Sequence, residues 1–259
     1  MTSTRRRAVA ASAALAAATT LLAGCAAVPR HPGPLETDFV PTSSPSPSID
    51  RGSLSPDGFT AAQRMTVRVR NIGCNGLSTG TGFAVDANTL VTNRHVVENS
   101  RDIEVTTYDG RTINVKATAV TTLADLAVVT TDEPLGVWSS QAASDPVAGD
   151  AITVVGYPLG GQLTTVSGVV LGETEDPLGA SGGPVFATTA PVQPGSSGSP
   201  ALNEAGEVVG VIYAKNDAEQ SFMIPVSTLR TLLDQDGLLE PMPNVCPAPM
   251  SAPTSAPAR

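Results

Sequence analysis

The chain has 259 residues, with 24 acidic and 15 basic side chains and a formal net charge of −9 at pH 7. Because binding to phosphates needs a surplus of Lys and Arg, this charge excludes nucleic acid from the expected partners. Aromatic residues make up 3% and charged residues 15% of the chain, and Gly, Val and Thr are frequent, a composition that favours short strands and tight turns over long helices.

Residues 1–24 predict a signal peptide. Arg5–Arg7 precede about 16 apolar residues, a run that is too short to span a membrane comfortably. The run ends in Leu22-Ala23-Gly24-Cys25, which resembles the lipobox of bacterial lipoproteins, where the cysteine is lipidated and becomes the mature N-terminus. The resemblance implies a lipid anchor at Cys25 that holds the chain on the extracytoplasmic side of the cell membrane. The alternative is a secreted protein with an ordinary cleavable signal.

Two flanking segments bound a domain that we predict at residues 59–240. Residues 25–58 contain Pro-Ser repeats and too few apolar side chains to form a core, so we expect a disordered tether. Residues 241–259 form a similar Pro-rich tail. Besides Cys25, only Cys74 and Cys246 remain, and an even pair in an exported protein suggests a disulfide, the alternative being two unpaired thiols.

Eleven short β-rich segments separated by turns are predicted within the domain. They are Met65–Val69, Gly82–Val85, Leu90–Thr92, Ile103–Thr107, Ile113–Val120, Leu126–Thr130, Ala151–Gly156, Thr164–Gly172, Val185–Thr189, Glu207–Ala214 and Phe222–Ile224. One helix is predicted at Val226–Leu233, with Ser227 as its cap. This pattern indicates an all-β barrel or sandwich.

One histidine is available to the predicted domain as a general base. The mature chain has two histidines, and His31 lies in the predicted tether. His95 directly follows the apolar strand Leu90–Thr92, and it is therefore the candidate for proton transfer.

Asp125 is the candidate partner of that histidine. It enters the apolar run Leu126–Val129, so its carboxylate will be partly buried and needs a partner, and His95 would supply it. Three other acidic residues are alternatives by chain order, although none begins a strand as apolar: Asp102, Asp109 and Asp132.

Two Gly- and Ser-rich turns are candidates for a nucleophile. Gly195–Pro200 contains Ser197 between glycines that permit a tight turn, and the backbone N–H groups of Gly195 and Ser197 would form an oxyanion hole. Gly179–Pro184 contains Ser181 and matches the pattern superficially better. We select Ser197 because a turn and the strand Glu207–Ala214 follow it, and we interpret the Ser181 loop as a surface loop near the cleft, with self-cleavage or activation as a hypothesis.

In the order His, Asp, Ser, these motifs resemble the chymotrypsin-like (trypsin-like) serine peptidases, in particular their bacterial HtrA-type branch. The segments that carry the resemblance are Gly80-Thr81-Gly82-Phe83, Leu90–Val97, Asp125-Leu126-Ala127-Val128, Gly156-Tyr157-Pro158-Leu159-Gly160 and Pro194–Pro200. It covers residues 65–233 and implies two six-stranded antiparallel β-barrels, with the triad His95, Asp125 and Ser197 in the cleft between them.

The resemblance also implies a substrate site. Tyr213, Ala214 and Lys215 fall where the family aligns the substrate backbone as an added strand, and Pro191–Gly195 would border the specificity pocket. No acidic residue lies near Pro191, so a preference for Arg or Lys is not predicted. Roughly 25 residues follow the predicted helix, so we expect no PDZ domain, and we expect a monomer.

The sequence therefore predicts a membrane-tethered serine endopeptidase that acts on proteins or peptides. The alternatives are a catalytically silent protease fold that serves as a binding or scaffold module in the cell envelope, and an enzyme kept latent by the Gly179–Pro184 loop or by an open disulfide. The sequence contains no ligand set for a metal, and we expect no cofactor.

Overall fold

The computed structural model describes residues 56–216, 218–243 and Cys246, which all belong to one compact unit spanning residues 50–259. The predicted signal peptide, the lipidation site Cys25, nearly all of the tether and most of the Pro-rich tail lie outside the described residues. In the part that is described, no helix is both long and apolar enough to cross a membrane.

The first half of the domain is an eight-stranded antiparallel sheet in the order β14-β6-β7-β3-β2-β1-β4-β5. Two short helices accompany it, α1 at Ala61–Met65 and α2 at Arg94–Val97. The strands are β1 at Thr66–Gly73, β2 at Leu77–Ala84, β3 at Thr89–Thr92, β4 at Ser100–Thr106, β5 at Thr112–Ile113, β6 at Val115–Val120, β7 at Ala127–Thr131 and β14 at Glu240–Pro241.

This sheet differs from the six-stranded barrel that we expected for the first half. The predicted strand Ile113–Val120 is broken at Asn114, whose backbone N–H donates to Glu133 Oε2 at 3.0 Å instead of to a neighbouring strand. β5 and β6 therefore lie toward opposite sides of the sheet although a single residue separates them in the chain. The sheet must curl to allow this connection, but its hydrogen-bonded order does not close.

The second half is a closed barrel of six strands in the order β10-β13-β12-β11-β8-β9, which agrees with the prediction. Its strands are β8 at Ala151–Gly156, β9 at Thr164–Thr174, β10 at Val185–Thr188, β11 at Pro200–Leu202, β12 at Val208–Lys215 and β13 at Ser221–Pro225. A 3₁₀ turn at Pro158–Gly160 joins β8 to β9, and another at Asp236–Leu238 precedes β14. The prediction of an all-β fold is confirmed.

The predicted C-terminal helix is present as α3 at Val226–Asp234, but its cap differs from the prediction. The N-cap residue is Pro225, which offers no side-chain cap. Asp145 supplies this function from a distant loop, because its carboxylate accepts hydrogen bonds from the backbone N–H of Ser227 at 2.8 Å and from the Ser227 hydroxyl at 2.7 Å. Ser227 is thus held by a cap instead of acting as one.

Two connections bring the end of the domain back to its first half. β14 pairs with β6 through Glu240 and Val120, and Cys246 forms a disulfide with Cys74, with the two Cα atoms 5.4 Å apart. The cysteines are 172 positions apart in the chain. In the loop-entropy model, a closed loop of this length stabilises the fold by about 5 kcal/mol as an upper estimate.

Candidate active site

The end of β3 and the start of β7 bring His95 and Asp125 together. The two strands are antiparallel, with Thr92 opposite Ala127, so the residues just after β3 lie beside those just before β7. Asn93 reinforces this junction, because its side-chain amide donates to the backbone carbonyl of Asp125 at 2.8 Å. Local strand pairing thus places a histidine and an aspartate 30 positions apart within hydrogen-bonding distance.

The carboxylate of Asp125 makes two contacts with His95. Its Oδ1 accepts the backbone N–H of His95 at 3.0 Å, and its Oδ2 lies 2.5 Å from the imidazole Nδ1. The Asp125 side chain is 5% exposed, whereas that of His95 is 43% exposed. A buried carboxylate therefore fixes the ring and its Nδ1 tautomer, while the opposite edge of the imidazole remains accessible.

A glycine in β2 allows the helix that carries His95 to pack closely. A Cβ atom on Gly80 would lie 2.6 Å from both methyl carbons of Val96, and 3.2 Å from the carbonyl oxygen of Ser197. Val96 and Val97 are buried and anchor α2 against the sheet. Gly80 is therefore needed at the point where α2, β2 and the loop of Ser197 meet.

The loop Pro194–Ser199 presents Ser197 between two glycines with left-handed backbone. Gly195 has a φ of 94° and Gly198 a φ of 86°, both values that side chains rarely adopt. A Cβ on Gly198 would overlap the carbonyl oxygen of Thr81. The backbone N–H of Gly198 donates to the carbonyl of Ile212 at 2.7 Å. The loop is thus held on one side by the backbone of the second barrel and on the other side by β2.

Two amides of this loop are available to bind an oxyanion. The N–H of Ser196 donates to Gln193 and that of Gly198 to Ile212. Within residues 56–216, 218–243 and Cys246, the N–H groups of Gly195 and Ser197 donate to no acceptor. These are the two amides that the sequence predicted for the oxyanion hole, and free donors on a rigid turn can stabilise developing negative charge.

His95, Asp125 and Ser197 line one cleft of about 480 Å³. The wall beside Ser197 is largely apolar, with Val192, Pro194, Ile212, Tyr213 and Ala214. Lys215 also lines the cleft, so all three residues predicted to align a substrate are placed there. The charged residues Arg94 and Glu98, which lie close to His95 in the chain, also line the cleft.

The segment that carries His95, Asp125 and Ser197 matches a known family. A model of the trypsin-like peptidase domain matches residues 80–211, just over half of the chain, and this range contains the three predicted catalytic residues. The chain belongs to the trypsin-like peptidase family.

Relatives of this chain within the trypsin-like peptidase family include HtrA-type proteases. Mitochondrial serine protease HTRA2 of Bos taurus is 36% identical over 61% of this chain and 36% of its own length. Serine protease Do-like HtrA of Bacillus subtilis is 32% identical over 56% of this chain and 35% of its own. The chain thus spans about a third of the length of these curated relatives.

A solved structure shares the fold over most of its length. The active form of the Rv3671c protease from M. tuberculosis superposes with a TM-score of 0.62 and 25% sequence identity, covering 72% of this chain and 86% of that one. The recognition of a trypsin-like, HtrA-type protease domain from sequence is confirmed by these matches.

Ser181, the alternative nucleophile of this trypsin-like domain, lies outside the cleft of His95. It lines a separate cavity with Glu173–Asp176, and its backbone N–H donates to Asp176 Oδ2 at 2.6 Å. Neighbouring residues of the same loop, Leu178 and Ala180, do line the cleft. The loop therefore forms a wall of the candidate site, which fits its predicted location near the cleft.

Asp176 links the Gly179–Pro184 loop, and with it this wall of the cleft, to Tyr213 of the second barrel. The sequence analysis did not identify this role. Its Oδ1 accepts a hydrogen bond from the Tyr213 hydroxyl at 2.5 Å and one from the N–H of Leu178 at 2.9 Å. Burial by itself raises the pKa of Asp176, but the hydrogen bonds from Tyr213, Leu178 and Ser181 outweigh it and hold the pKa below its usual range. Burial first, and then the bond to Asp176, raise the pKa of Tyr213.

Thr81 is a second positioning residue that the sequence analysis did not identify. Its hydroxyl donates to the carbonyl of Gly195 at 2.8 Å and accepts the N–H of Tyr157 at 3.0 Å, while its backbone N–H donates to the carbonyl of Ser197 at 2.8 Å. Thr81 is fully buried. Thr81 lies inside the motif Gly80–Phe83, which could have marked it as a candidate. The motif was used only as support for the family resemblance.

Proposed function

We propose that this chain is a serine endopeptidase in which Ser197 is the nucleophile, His95 the general base and Asp125 the residue that orients the base. The observation that carries the proposal is the buried carboxylate of Asp125 bonded to both the backbone and the ring of His95, in a cleft that also contains Ser197. A scaffold has no requirement for a free pair of amides beside a serine.

The geometry supports a reaction in two stages. The Ser197 hydroxyl loses its proton to the free imidazole nitrogen of His95 as its oxygen attacks the scissile carbonyl carbon, and the oxyanion that forms accepts hydrogen bonds from Gly195 and Ser197. The imidazolium then gives its proton to the leaving amine, and an acyl-enzyme remains. Water, deprotonated by His95, hydrolyses this ester and restores Ser197.

The acyl part of the substrate fits the side of the cleft that β12 borders. The end of β12 at Tyr213–Lys215 can pair with an extended peptide, which would place the side chain before the scissile bond near Val192, Pro194 and Ile212. Among the residues that the structure describes, no carboxylate lies between these apolar side chains, so we expect an apolar residue at that position instead of Arg or Lys.

A fluorophosphonate probe tests this function directly. The folded domain is expected to be labelled on Ser197, and Ser197→Ala is expected to abolish both labelling and peptide cleavage. Ser181→Ala is the matched control, because it removes the same hydroxyl from the other Gly- and Ser-rich turn, and it should retain both. A folded protein that is not labelled would overturn the proposal and favour the scaffold alternative.

We further propose that the enzyme is anchored through Cys25 to the extracytoplasmic side of the cell membrane. The support is the basic and apolar leader followed by Leu22-Ala23-Gly24-Cys25. Full-length protein expressed in a bacterium should fractionate with membranes and carry a labelled fatty acid, whereas Cys25→Ser should lose the label. Recovery of the wild-type protein in the medium would instead support secretion.

A further inference from the structure

A second groove lies between β2 and the turn Pro158–Gly160, on the β2 side of the loop of Ser197. In the pairing of β1 with β2, Thr81 is opposite Arg68, Thr79 is opposite Arg70, and Leu77 is opposite Ile72. Directly paired residues share one face of the sheet, so the face of Thr81 continues outward along this hairpin. Exposure increases in the same direction, from the buried Thr81 to Leu77, which is 63% exposed.

The turn at Pro158–Gly160 forms the opposite wall of this groove and contacts the nucleophile loop. The N–H of Leu159 donates to the carbonyl of Pro194 at 2.6 Å, and a Cβ on Gly160 would lie 2.8 Å from the side chain of Thr79. Leu159 itself is 70% exposed. The groove has a volume of about 310 Å³, and its wall of Leu159 and Gly160 packs directly against Gly195, one of the two oxyanion amides.

The length of the groove suits the part of a substrate that follows the scissile bond. The acyl side is assigned to β12, so the chain beyond the scissile bond would leave on the other side of the loop of Ser197, where this groove lies. The residues of β2 that line the groove run from Leu77 to Thr79, a distance of about 7 Å at about 3.3 Å per residue. Two or three extended substrate residues cover that distance.

Positive charge distinguishes this groove within an acidic protein. Arg68 and Arg70 both line it. Arg70 forms an ion pair with Glu104 at 3.2 Å, with both side chains about half exposed. Arg68 donates to the carbonyl of Gly160 at 3.3 Å, and among the residues that the structure describes it has no carboxylate partner. A guanidinium carries five N–H donors, so Arg68 retains donors for a further acceptor.

We propose that this groove binds the leaving-group side of the substrate and selects an acidic side chain at the second or third residue after the scissile bond. Arg68 would be the main partner of that carboxylate, with Arg70 contributing to the positive potential and Leu77 and Leu159 contacting the stem of the side chain. This inference rests on the proposed endopeptidase function and adds a substrate class to it.

The test is a peptide library with randomised residues before the scissile bond and Glu, Gln or Lys at each of the two positions. Cleavage products are quantified by mass spectrometry. For a partly exposed ion pair we expect kcat/KM to favour Glu over Gln by about 2- to 5-fold, and Lys to be the poorest. The preference should decrease in high salt, because exposed charges are screened.

Variants of the groove should remove the preference for Glu. Arg68→Gln removes the positive charge but retains a side-chain N–H donor, and we expect it to cleave the Glu and Gln peptides with equal kcat/KM. Arg70→Gln should reduce the preference in part. Lys116→Gln is the matched control, because this exposed lysine of β6 lies outside the groove and carries the same charge. It should retain the preference.

The outcomes separate the subsite from the function. If peptides are cleaved without regard to charge, or if Arg68→Gln and Lys116→Gln behave alike, the subsite is wrong while the endopeptidase function stands. If the folded protein is neither labelled on Ser197 nor cleaves any peptide, both the function and the subsite that depends on it are overturned.

Discussion

Thr81→Val is the substitution that tests most directly how the candidate active site is held together. Val has nearly the same shape as Thr but lacks the hydroxyl, so the carbonyl of Gly195 and the N–H of Tyr157 would lose their partner in a buried position. A buried polar group without a partner costs about 1–3 kcal/mol. We therefore expect a loss of about 2–4 kcal/mol in the free energy of unfolding, or about 5–15 °C in Tm for a domain of this size.

The same change should lower kcat more than it raises KM. The Gly195 amide would act only on the oxyanion of the transition state, and its position depends on the bond from Thr81 to the Gly195 carbonyl. Removing an oxyanion donor outright costs about 100- to 1000-fold, so displacing one should cost about 10-fold or more. The assay is steady-state cleavage of a peptide by folded protein, well below the lowered Tm.

Two control variants test whether the effect of Thr81→Val comes from the loss of its hydroxyl. Thr81→Ser retains the hydroxyl and should remain within about 1 kcal/mol of the wild type. Thr118→Val makes the same change at another buried threonine, whose hydroxyl has no hydrogen-bond partner among the described residues, and it should be neutral or stabilising. If Thr81→Val unfolds no more easily than Thr118→Val and retains its kcat, the hydroxyl of Thr81 does not position the loop.

Three further predictions concern bonds that are present or absent in the same fold. Tyr213→Phe should lower stability by about 0.5–1.5 kcal/mol and raise KM, because the cleft wall loses its bond to the barrel. Tyr157→Phe should be neutral, since that buried hydroxyl finds no partner in the part of the chain that the structure describes, and thermal melts and peptide kinetics compare the two variants. Ser199→Ala should be neutral or raise the Tm, because no residue that the structure describes bonds to the buried Ser199 hydroxyl, and a clear loss of stability would contradict this. Replacing Cys74 and Cys246 together by Ser should lower the unfolding free energy by about 2–5 kcal/mol in denaturant titrations, and an unchanged midpoint would show that the bridge does not constrain the chain.

Segments whose structure depends on local pattern could be predicted from the sequence. β8 has the predicted bounds Ala151–Gly156, since its β-branched residues lie between clear turns. β11 was missed, because Pro200–Leu202 is short and begins with a proline, and only its pairing with β8 and β12 makes it a strand. β14 was missed for the same reason, since Glu240 and Pro241 have no strand pattern until they meet β6.

The residues of the candidate site also differ in whether their own sequence segment identifies them. His95, Asp125 and Ser197 lie in segments whose residue types carry their chemistry, so each could be identified from the amino acids around it. Thr81 acts on Gly195 and Tyr157, which lie 114 and 76 positions away, and nothing in its own segment identifies those partners. A hydroxyl or a carboxylate is compatible with many partners, and the fold alone selects one. Reactive groups can therefore be predicted from a sequence. The groups that position them can be identified only when the fold places distant segments side by side. Thr81→Val should act on a positioning group of this kind.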